Sequence, residues 1–131
     1  MVRDFKKLDV YNTAYAFVLS IYKITKDFPK SEVYGITNQL RRAASSITAN
    51  IAEGSGRSSD KEFMHFLFIA LGSVKECEHF LMLSKDLGYL SDLQHNLLDT
   101  QINQIGGKLN NFIKTLKITN NATSYKPLAT T

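Results

Sequence analysis

Apolar residues recur every three or four positions through most of this 131-residue chain, and this spacing constrains its fold more than any other feature. Such spacing places apolar side chains on one face of a helix, whereas a half-buried strand needs them at every second position. Only two prolines and seven glycines are available to interrupt the pattern. The sequence therefore predicts long amphipathic helices and no sheet.

Four segments carry the pattern, separated by residues that end helices. The residue before Pro29 avoids helical backbone angles. Glycine is common just past the end of a helix, and Gly54 and Gly56 are expected to end the second segment and Gly88 the third. We expect helices at about 9–27, 34–53, 60–87 and 92–117.

Two serines mark the start of the third and fourth helices. Ser59 precedes Glu62 by three residues, and Ser91 precedes Gln94 by three, a capping-box pattern that satisfies free backbone N–H groups. The connections between helices are short, which favours antiparallel neighbours. The prediction is an all-α, up-down-up-down four-helix bundle.

The four helices form one expected domain over residues 1–118, followed by a mobile C-terminal tail over residues 119–131, where the periodicity stops. The inward residues of the first helix are expected to be Leu8, Tyr11, Tyr15, Val18 and Tyr22, with Ala14 and Ile21 widening the stripe. Strict spacing in the fourth helix places Leu98, Ile102, Ile105, Leu109, Phe112 and Leu116 inward.

Composition narrows the class of protein. The chain is 44% hydrophobic and 21% charged, as globular proteins are. No apolar run reaches the roughly 18 residues of a membrane span, and the first eight residues are too polar for a signal peptide. The single cysteine, Cys77, suits a reducing compartment. We therefore expect a cytoplasmic protein; its net charge of +4 is only mildly basic.

The third helix carries more apolar residues than one core face can bury. At about 100° per residue, five of them fall outside or beside the core stripe. They are Phe68, Ile69, Phe80, Met82 and Leu83. On the second helix Ser45, Ala49 and Ala52 are small and face outward, so another helix could approach. An exposed apolar patch usually marks an interface. The hypothesis is a homo-oligomer; the alternative is that a terminal segment covers the patch.

No pattern supports catalysis. Glu62 and His65, and again Glu76 and His79, match the Glu-x-x-His motif of di-metal bundles. Both copies lie on one helix and point outward, about 21 Å apart at 1.5 Å per residue. A dinuclear site draws its ligands from facing helices, and no Gly-x-Ser-x-Gly elbow is present either. We expect no catalytic residue, metal or cofactor.

Basic residues cluster around the second helix. Residues 36–61 contain Arg41, Arg42, Arg57 and Lys61 against only two acids. The glycine-rich stretch after the second helix leads to a helix start, where free N–H groups favour phosphate; the alternative is that its glycines and Ser59 only stop and cap helices. Arg41 and Arg42 diverge by about 100° and cannot share a face. One could contact phosphate while the other pairs with an acid such as Glu53 of a neighbouring chain.

Polar residues also occur near the inner edge of the second helix. Asn50 follows Ser46 by one turn, and a buried asparagine needs hydrogen-bond partners. We assign Ser46, Asn50 and Glu53 structural roles.

The central stretch carries a recognisable pattern, QLRRAASSITANIAEG at residues 39–54. It resembles the bacterial four-helix-bundle proteins encoded in intervening sequences of 23S ribosomal RNA genes. Flanking matches, among them Phe28-Pro29 and Leu87-Gly88-Tyr89-Leu90, extend the similarity over about residues 5–115. A mild departure is Glu76-Cys77-Glu78, where the family prefers glutamate-leucine-glutamate.

The resemblance implies a bundle that assembles as a ring, with a homopentamer as the expected form. It also implies kinship with the accessory protein of diversity-generating retroelements, which binds nucleic acid and a reverse transcriptase through a basic surface. The leading hypothesis is a non-enzymatic homo-oligomer that binds RNA or a ribonucleoprotein partner. A protein-interaction scaffold is the alternative, and a di-metal enzyme a distant one.

Overall fold

The structure, a computed structural model, describes residues 3–124. Its α-helices are α1 (Asp9–Thr25), α2 (Ile36–Ser55), α3 (Asp60–Asp86) and α4 (Asp92–Ser124), and two short 3-10 helices span Phe5–Lys7 and Lys30–Glu32. The described residues contain no strand. The all-α prediction and the four helices are confirmed.

The capping box predicted at Ser91 forms in full, and Ser59 caps α3 through one of its two expected bonds. The Ser59 hydroxyl accepts a hydrogen bond from the Glu62 backbone N–H at 3.1 Å. At the start of α4, the Ser91 hydroxyl accepts from the Gln94 N–H, and the Gln94 side chain accepts from the Ser91 N–H in return. These contacts satisfy donors that a helix start leaves free.

Two predicted helix ends are wrong. Helix α4 continues to Ser124, because no glycine or proline stands between Gly107 and Ser124 to end it. Residues 119–124 of the expected tail are therefore helical, and the rest of the tail lies outside the described residues. Helix α2 runs through Gly54, where an added Cβ would lie 2.7 Å from Phe63 Cδ1 and 2.8 Å from Phe66 Cβ. Gly54 permits close packing of α2 on α3 rather than ending α2.

The inward face of α1 differs from the prediction. Val10, Ala14, Phe17 and Ile21 are buried in the core. The expected inward residues Tyr15 and Tyr22 are instead exposed, and Leu8, Tyr11 and Val18 are only half-buried. The first helix is apolar on two sides. Burying the side that carries the tyrosines would also remove their hydroxyls from water, so the side without tyrosine is buried at a lower free-energy cost.

The four helices surround one hydrophobic core. Helix α1 contacts α2 and α4, and α3 contacts α2 and α4. This order of contacts is the one expected of an up-down-up-down bundle with short connections. The largest fully buried side chains come from all four helices and include Phe17, Leu40, Ile47, Phe63, Leu67, Ile105 and Leu109. On α4 Ile113 is buried, and the expected Phe112 lies half-buried beside it.

A contact between two connections holds one end of the bundle. The Tyr89 hydroxyl, between α3 and α4, donates to Glu32 Oε2 at 2.8 Å, and the Ile36 N–H donates to Glu32 Oε1 at 3.1 Å. These two donors lower the pKa of Glu32, the tyrosine hydroxyl most strongly. The Phe28 and Tyr89 rings pack with centroids 5.5 Å apart. The first turn of α2 is therefore held in place.

Candidate nucleic-acid interface

The four basic residues predicted as a site fall at two places along α2. Arg41 and Arg42 lie in its first half, whereas Arg57 and Lys61 follow its end. The 14 residues between Arg41 and Ser55 span about 21 Å of helix. The fold therefore does not bring the four side chains into one patch.

Arg42 and Arg57 are each paired with an acid. Arg42 forms an ion pair with Glu76 of α3, and its guanidinium also bonds the Gln39 side chain. Arg57 pairs with Glu53 of the same chain at 2.6 Å, and its guanidinium lies 4.7 Å from the centre of the Phe66 ring. Glu53 thus has an intrachain partner, although the sequence suggested an arginine of a neighbouring chain.

The connection between α2 and α3 carries balanced charge. Arg3 reaches it from the N-terminal side: its N–H donates to the Ser55 carbonyl at 2.8 Å and its guanidinium to Asp60 at 2.9 Å. The cations at this connection are Arg3, Arg57 and Lys61, and the acids are Glu53, Asp60 and Glu62. Lys61 is exposed, but the region as a whole gives no excess of positive charge.

Arg41 is held differently. Its Nε donates to the Thr25 hydroxyl at 2.8 Å, and its Nη2 donates to the Tyr22 carbonyl at 3.3 Å. The guanidinium lies 4.8 Å from the centre of the Tyr22 ring. None of the ion pairs within residues 3–124 involves Arg41. The Arg41 guanidinium is therefore fixed in position, and no acid among residues 3–124 neutralises it.

A cavity of about 320 Å³ adjoins Arg41 where α1 leads into α2. We call it the Arg41 pocket; it is lined by Thr25, Lys26, Phe28, Pro29, Lys30, Val33, Thr37 and Arg41. Three of these side chains are cations, and no acid from the described part of the chain lines the cavity. Thr37 is only 5% exposed, and its hydroxyl oxygen is buried without a hydrogen-bond partner.

The sequence patterns did not point to Lys26, Lys30 or Thr37 as site residues. The two lysines flank Phe28-Pro29, which the sequence marks only as a connection. Their relation to Arg41 arises because the end of α1 packs beside the start of α2. The one available signal was the spacing of Lys23, Lys26 and Lys30 with a single acid, Asp27, between them.

The predicted apolar interface is partly exposed. Phe68, Ile69 and Met82 are 41–53% exposed, with Lys117 Nζ 5.5 Å from the Phe68 ring centre. Phe80 and Leu83 instead pack partly against the core. On α2, Ala49 is exposed and Ala52 half-buried. A second exposed apolar group, on α1, was missed because that helix was assigned the wrong inward face; its members are Tyr15, Leu19 and Tyr22.

A polar network links α2 to α3. The Asn50 side-chain amide donates to the Ser46 carbonyl at 2.8 Å and to the Ser46 hydroxyl at 3.0 Å. The Ser46 and Ser73 hydroxyls bond across the helix interface at 2.9 Å. These bonds constrain the register of the two helices.

Residues that could support catalysis are dispersed. No group of three or more histidine, cysteine, aspartate or glutamate side chains among the described residues is arranged to hold a metal ion. His65 and His79 are both exposed. Burial raises the pKa of the Cys77 thiol to about 12, so the thiolate is scarce at neutral pH. No described helix is long and apolar enough to cross a bilayer.

Comparison with known proteins adds a family. The family model described as 23S rRNA-intervening sequence protein matches residues 6–111. A crystal structure of a protein of unknown function from the S23 ribosomal protein family of Bacteroides thetaiotaomicron VPI-5482 is similar, with 27% sequence identity and a TM-score of 0.72. That similarity covers 80% of this chain and 98% of the other. No curated protein matches the chain.

Proposed function

The chain belongs to the 23S rRNA-intervening sequence protein family, and on that premise we propose that it is a non-catalytic homo-oligomer that binds RNA through the surface around Arg41. One observation carries the proposal: three cations line the Arg41 pocket, and no acid among residues 3–124 lines it. Contacts with phosphates supply most of the sequence-independent affinity for nucleic acids. The site therefore suits the RNA backbone better than a particular base sequence.

The chemistry of Arg41 supports this role. Its planar guanidinium can donate two parallel hydrogen bonds to a phosphate. Because Thr25 and Tyr22 already hold the side chain, binding costs little additional rotamer entropy. Arg42 and Arg57 contribute less in this proposal, since each is already paired with a carboxylate.

Assembly into a ring, with five copies as the expected number, is the second part of the proposal. The exposed apolar side chains on α3 and α1 support it, because a monomer would leave them in water. A ring needs two different surfaces on each subunit, one binding the other surface of the next copy. The α3 group and the α1 group are two such surfaces. The protein would act in the cytoplasm, where its buried thiol stays reduced.

Charge-reversal variants test the RNA site. Binding of a fluorescein-labelled single-stranded RNA is measured by anisotropy at 50–200 mM salt, chosen on the order of physiological ionic strength. The double variant Lys26→Glu/Lys30→Glu should bind at least about 10-fold more weakly, with a shallower salt dependence. Lys7→Glu/Lys114→Glu, which changes two exposed lysines outside the pocket and so alters the net charge by the same amount, is the control.

Three results would contradict RNA binding at the Arg41 pocket. If Arg57→Glu/Lys61→Glu weakens binding more than Lys26→Glu/Lys30→Glu does, the α2–α3 connection and not the Arg41 pocket is the RNA surface. If the wild type binds RNA and no variant changes the affinity, neither surface is the RNA site; if the wild type binds no RNA, the proposed function is wrong.

A protein-interaction scaffold is the second candidate function. The exposed apolar residues favour it, since they fit another protein as well as another copy of this chain. The two functions differ in salt dependence: affinity for RNA should fall steeply as salt rises, whereas an apolar protein contact should be nearly insensitive. Light scattering tests assembly separately, and a mass near the 14.8 kDa of one chain at micromolar concentration would contradict it.

A further inference from the structure

We propose that the Arg41 pocket binds a phosphomonoester, such as the terminal phosphate of an RNA strand, in preference to an internal phosphodiester. This inference rests on the RNA binding proposed above and specifies which phosphate occupies the site. It draws on the unpartnered hydroxyl of Thr37, the donors of Arg41 and the two lysines, and the position of the pocket at the start of α2.

Thr37 indicates that the occupant is polar. A buried hydroxyl without a partner has lost its hydrogen bonds to water and destabilises the folded state. Thr37 lines the pocket and its hydroxyl oxygen is such a group, whereas valine would fill nearly the same volume without that cost. That oxygen is shielded from water, so rotation of the Thr37 side chain would bring it to a ligand oxygen in the pocket, which would then satisfy it.

The cations indicate that the occupant is an anion. Arg41 uses two of its five guanidinium N–H donors on Thr25 and Tyr22, which leaves three for a ligand. Lys26 and Lys30 each add a flexible ammonium group to the lining. Arg41 and the two lysines together offer more N–H donors than two ligand oxygens can accept. They suit a ligand group that presents three acceptor oxygens.

The surrounding charges fit the same conclusion. Thr37 is the second residue of α2, and the dipole of that helix favours an anion at its first turn. The nearest acids along the chain, Asp27 and Glu32, are not part of the lining. Glu32 already accepts hydrogen bonds from Tyr89 and Ile36.

Terminal and internal phosphates differ in charge and access. A monoester has a second pKa near 6, so at pH 7 it carries a charge of about −1.5 to −2 and three acceptor oxygens. An internal diester carries one charge, two free oxygens and a nucleoside on either side. Apart from Thr25, which holds Arg41, the rest of the lining is apolar and consists of Phe28, Pro29 and Val33. Such walls suit the sugar or base of one terminal nucleotide and not a second phosphate.

The test compares oligonucleotides that differ only at the end. Anisotropy competition at pH 7.5 uses one RNA of about 12 nucleotides, roughly the size range that single-stranded sites cover, with a 5′-phosphate, a 3′-phosphate or hydroxyls at both ends. A terminal phosphate should raise affinity about 10-fold or more, and the gain should shrink at pH 5, where the monoester loses a charge. Added inorganic phosphate should remove this gain in affinity without weakening the binding of the hydroxyl-ended RNA.

Thr37→Val is the decisive variant. It should make the affinities for the phosphate-ended and hydroxyl-ended RNAs equal, so that the gain from a terminal phosphate is lost. Because it removes an unpartnered buried hydroxyl, it should melt at the same temperature as the wild type or higher. A melting curve therefore shows that any loss is not unfolding.

The outcomes separate the two proposals. If all three RNAs bind equally and with the expected salt dependence, RNA binding stands and the phosphomonoester site is wrong. If no RNA binds, the RNA function fails. The pocket then stands only if inorganic phosphate raises the melting temperature of the wild type and not of Thr37→Val; absence of that shift overturns it.

Discussion

Replacing Gly54 by alanine should destabilise the protein, although alanine is the better helix former. The helix-propensity gain is about 1 kcal/mol. Against it, the new Cβ would lie 2.7 Å from Phe63 Cδ1 and 2.8 Å from Phe66 Cβ. Phe63 is 1% exposed and packs edge-on against Phe112, so its ring has little space to move. The Cβ of Phe66 can move only if the α3 backbone moves with it. Overpacking of this kind costs about 3 kcal/mol at the upper end of its usual range. The net loss should be about 2 kcal/mol.

Gly107→Ala is the matched control. Gly107 lies within α4, is exposed, and an added Cβ would meet no atom within 4 Å. The same substitution should therefore stabilise the protein by about 1 kcal/mol. For a chain of this length, melting temperature shifts by roughly 4 °C per kcal/mol. We expect Gly54→Ala to melt about 8 °C lower than the wild type and Gly107→Ala about 4 °C higher.

Circular dichroism at 222 nm, by heating and by urea, measures both variants. Each is recorded at two protein concentrations, so that dissociation of an oligomer is separated from unfolding of the bundle. If Gly54→Ala is as stable as the wild type, α2 and α3 have space for a Cβ at position 54, and the expected clash with Phe63 and Phe66 does not occur. Destabilisation by Gly107→Ala would show instead that another chain packs on that face of α4.

Three further predictions concern other contacts. Glu32→Gln should reduce stability at neutral pH and flatten its acid dependence in pH-resolved urea titrations. The lowered pKa of Glu32 means that its contribution is present above the ordinary value of 4.5 and is lost as pH falls through the lower folded value; an unchanged pH profile would contradict this. Phe68→Asp should reduce the mass measured by light scattering without lowering helix content, whereas an unchanged mass would place the interface elsewhere. Asn50→Ala leaves the Ser46 hydroxyl with one partner fewer and should cost about 1 kcal/mol in urea titrations; no loss would mean that the network carries little stability.

Features set by local chemistry could be predicted from the sequence. The capping serines Ser59 and Ser91 needed only residues three positions away. The core stripe of α3 was also readable, since Leu67 and Leu81 repeat at helical spacing within one long segment.

Features set by competition between faces could not. Helix α1 is apolar on two sides, and only its neighbours determine that Phe17 is buried and Tyr15 exposed. The close approach at Gly54 depends on Phe63 and Phe66, which belong to another helix. A glycine that permits packing and a glycine that ends a helix look the same in sequence.

The candidate site divides in the same way. Arg41 was singled out from the sequence, but its lack of an acidic partner is a property of the fold. Arg42, its neighbour in sequence, meets Glu76 because α2 and α3 pack together. Lys26 and Thr37 join Arg41 across the connection between two helices, a distance along the chain that no single-helix pattern detects.

The attachment of Arg3 to Ser55 gives the bundle a polarity. It places Arg3 at the end of α2, about 30 Å of helix from the first turn that borders the Arg41 pocket. In any closed cyclic assembly, symmetry sets every copy of a residue at the same height along the axis. In the ring proposed above, all pockets would then form one circle and all copies of Arg3 another, so a single RNA could engage several pockets at once. Its avidity would exceed what one pocket provides.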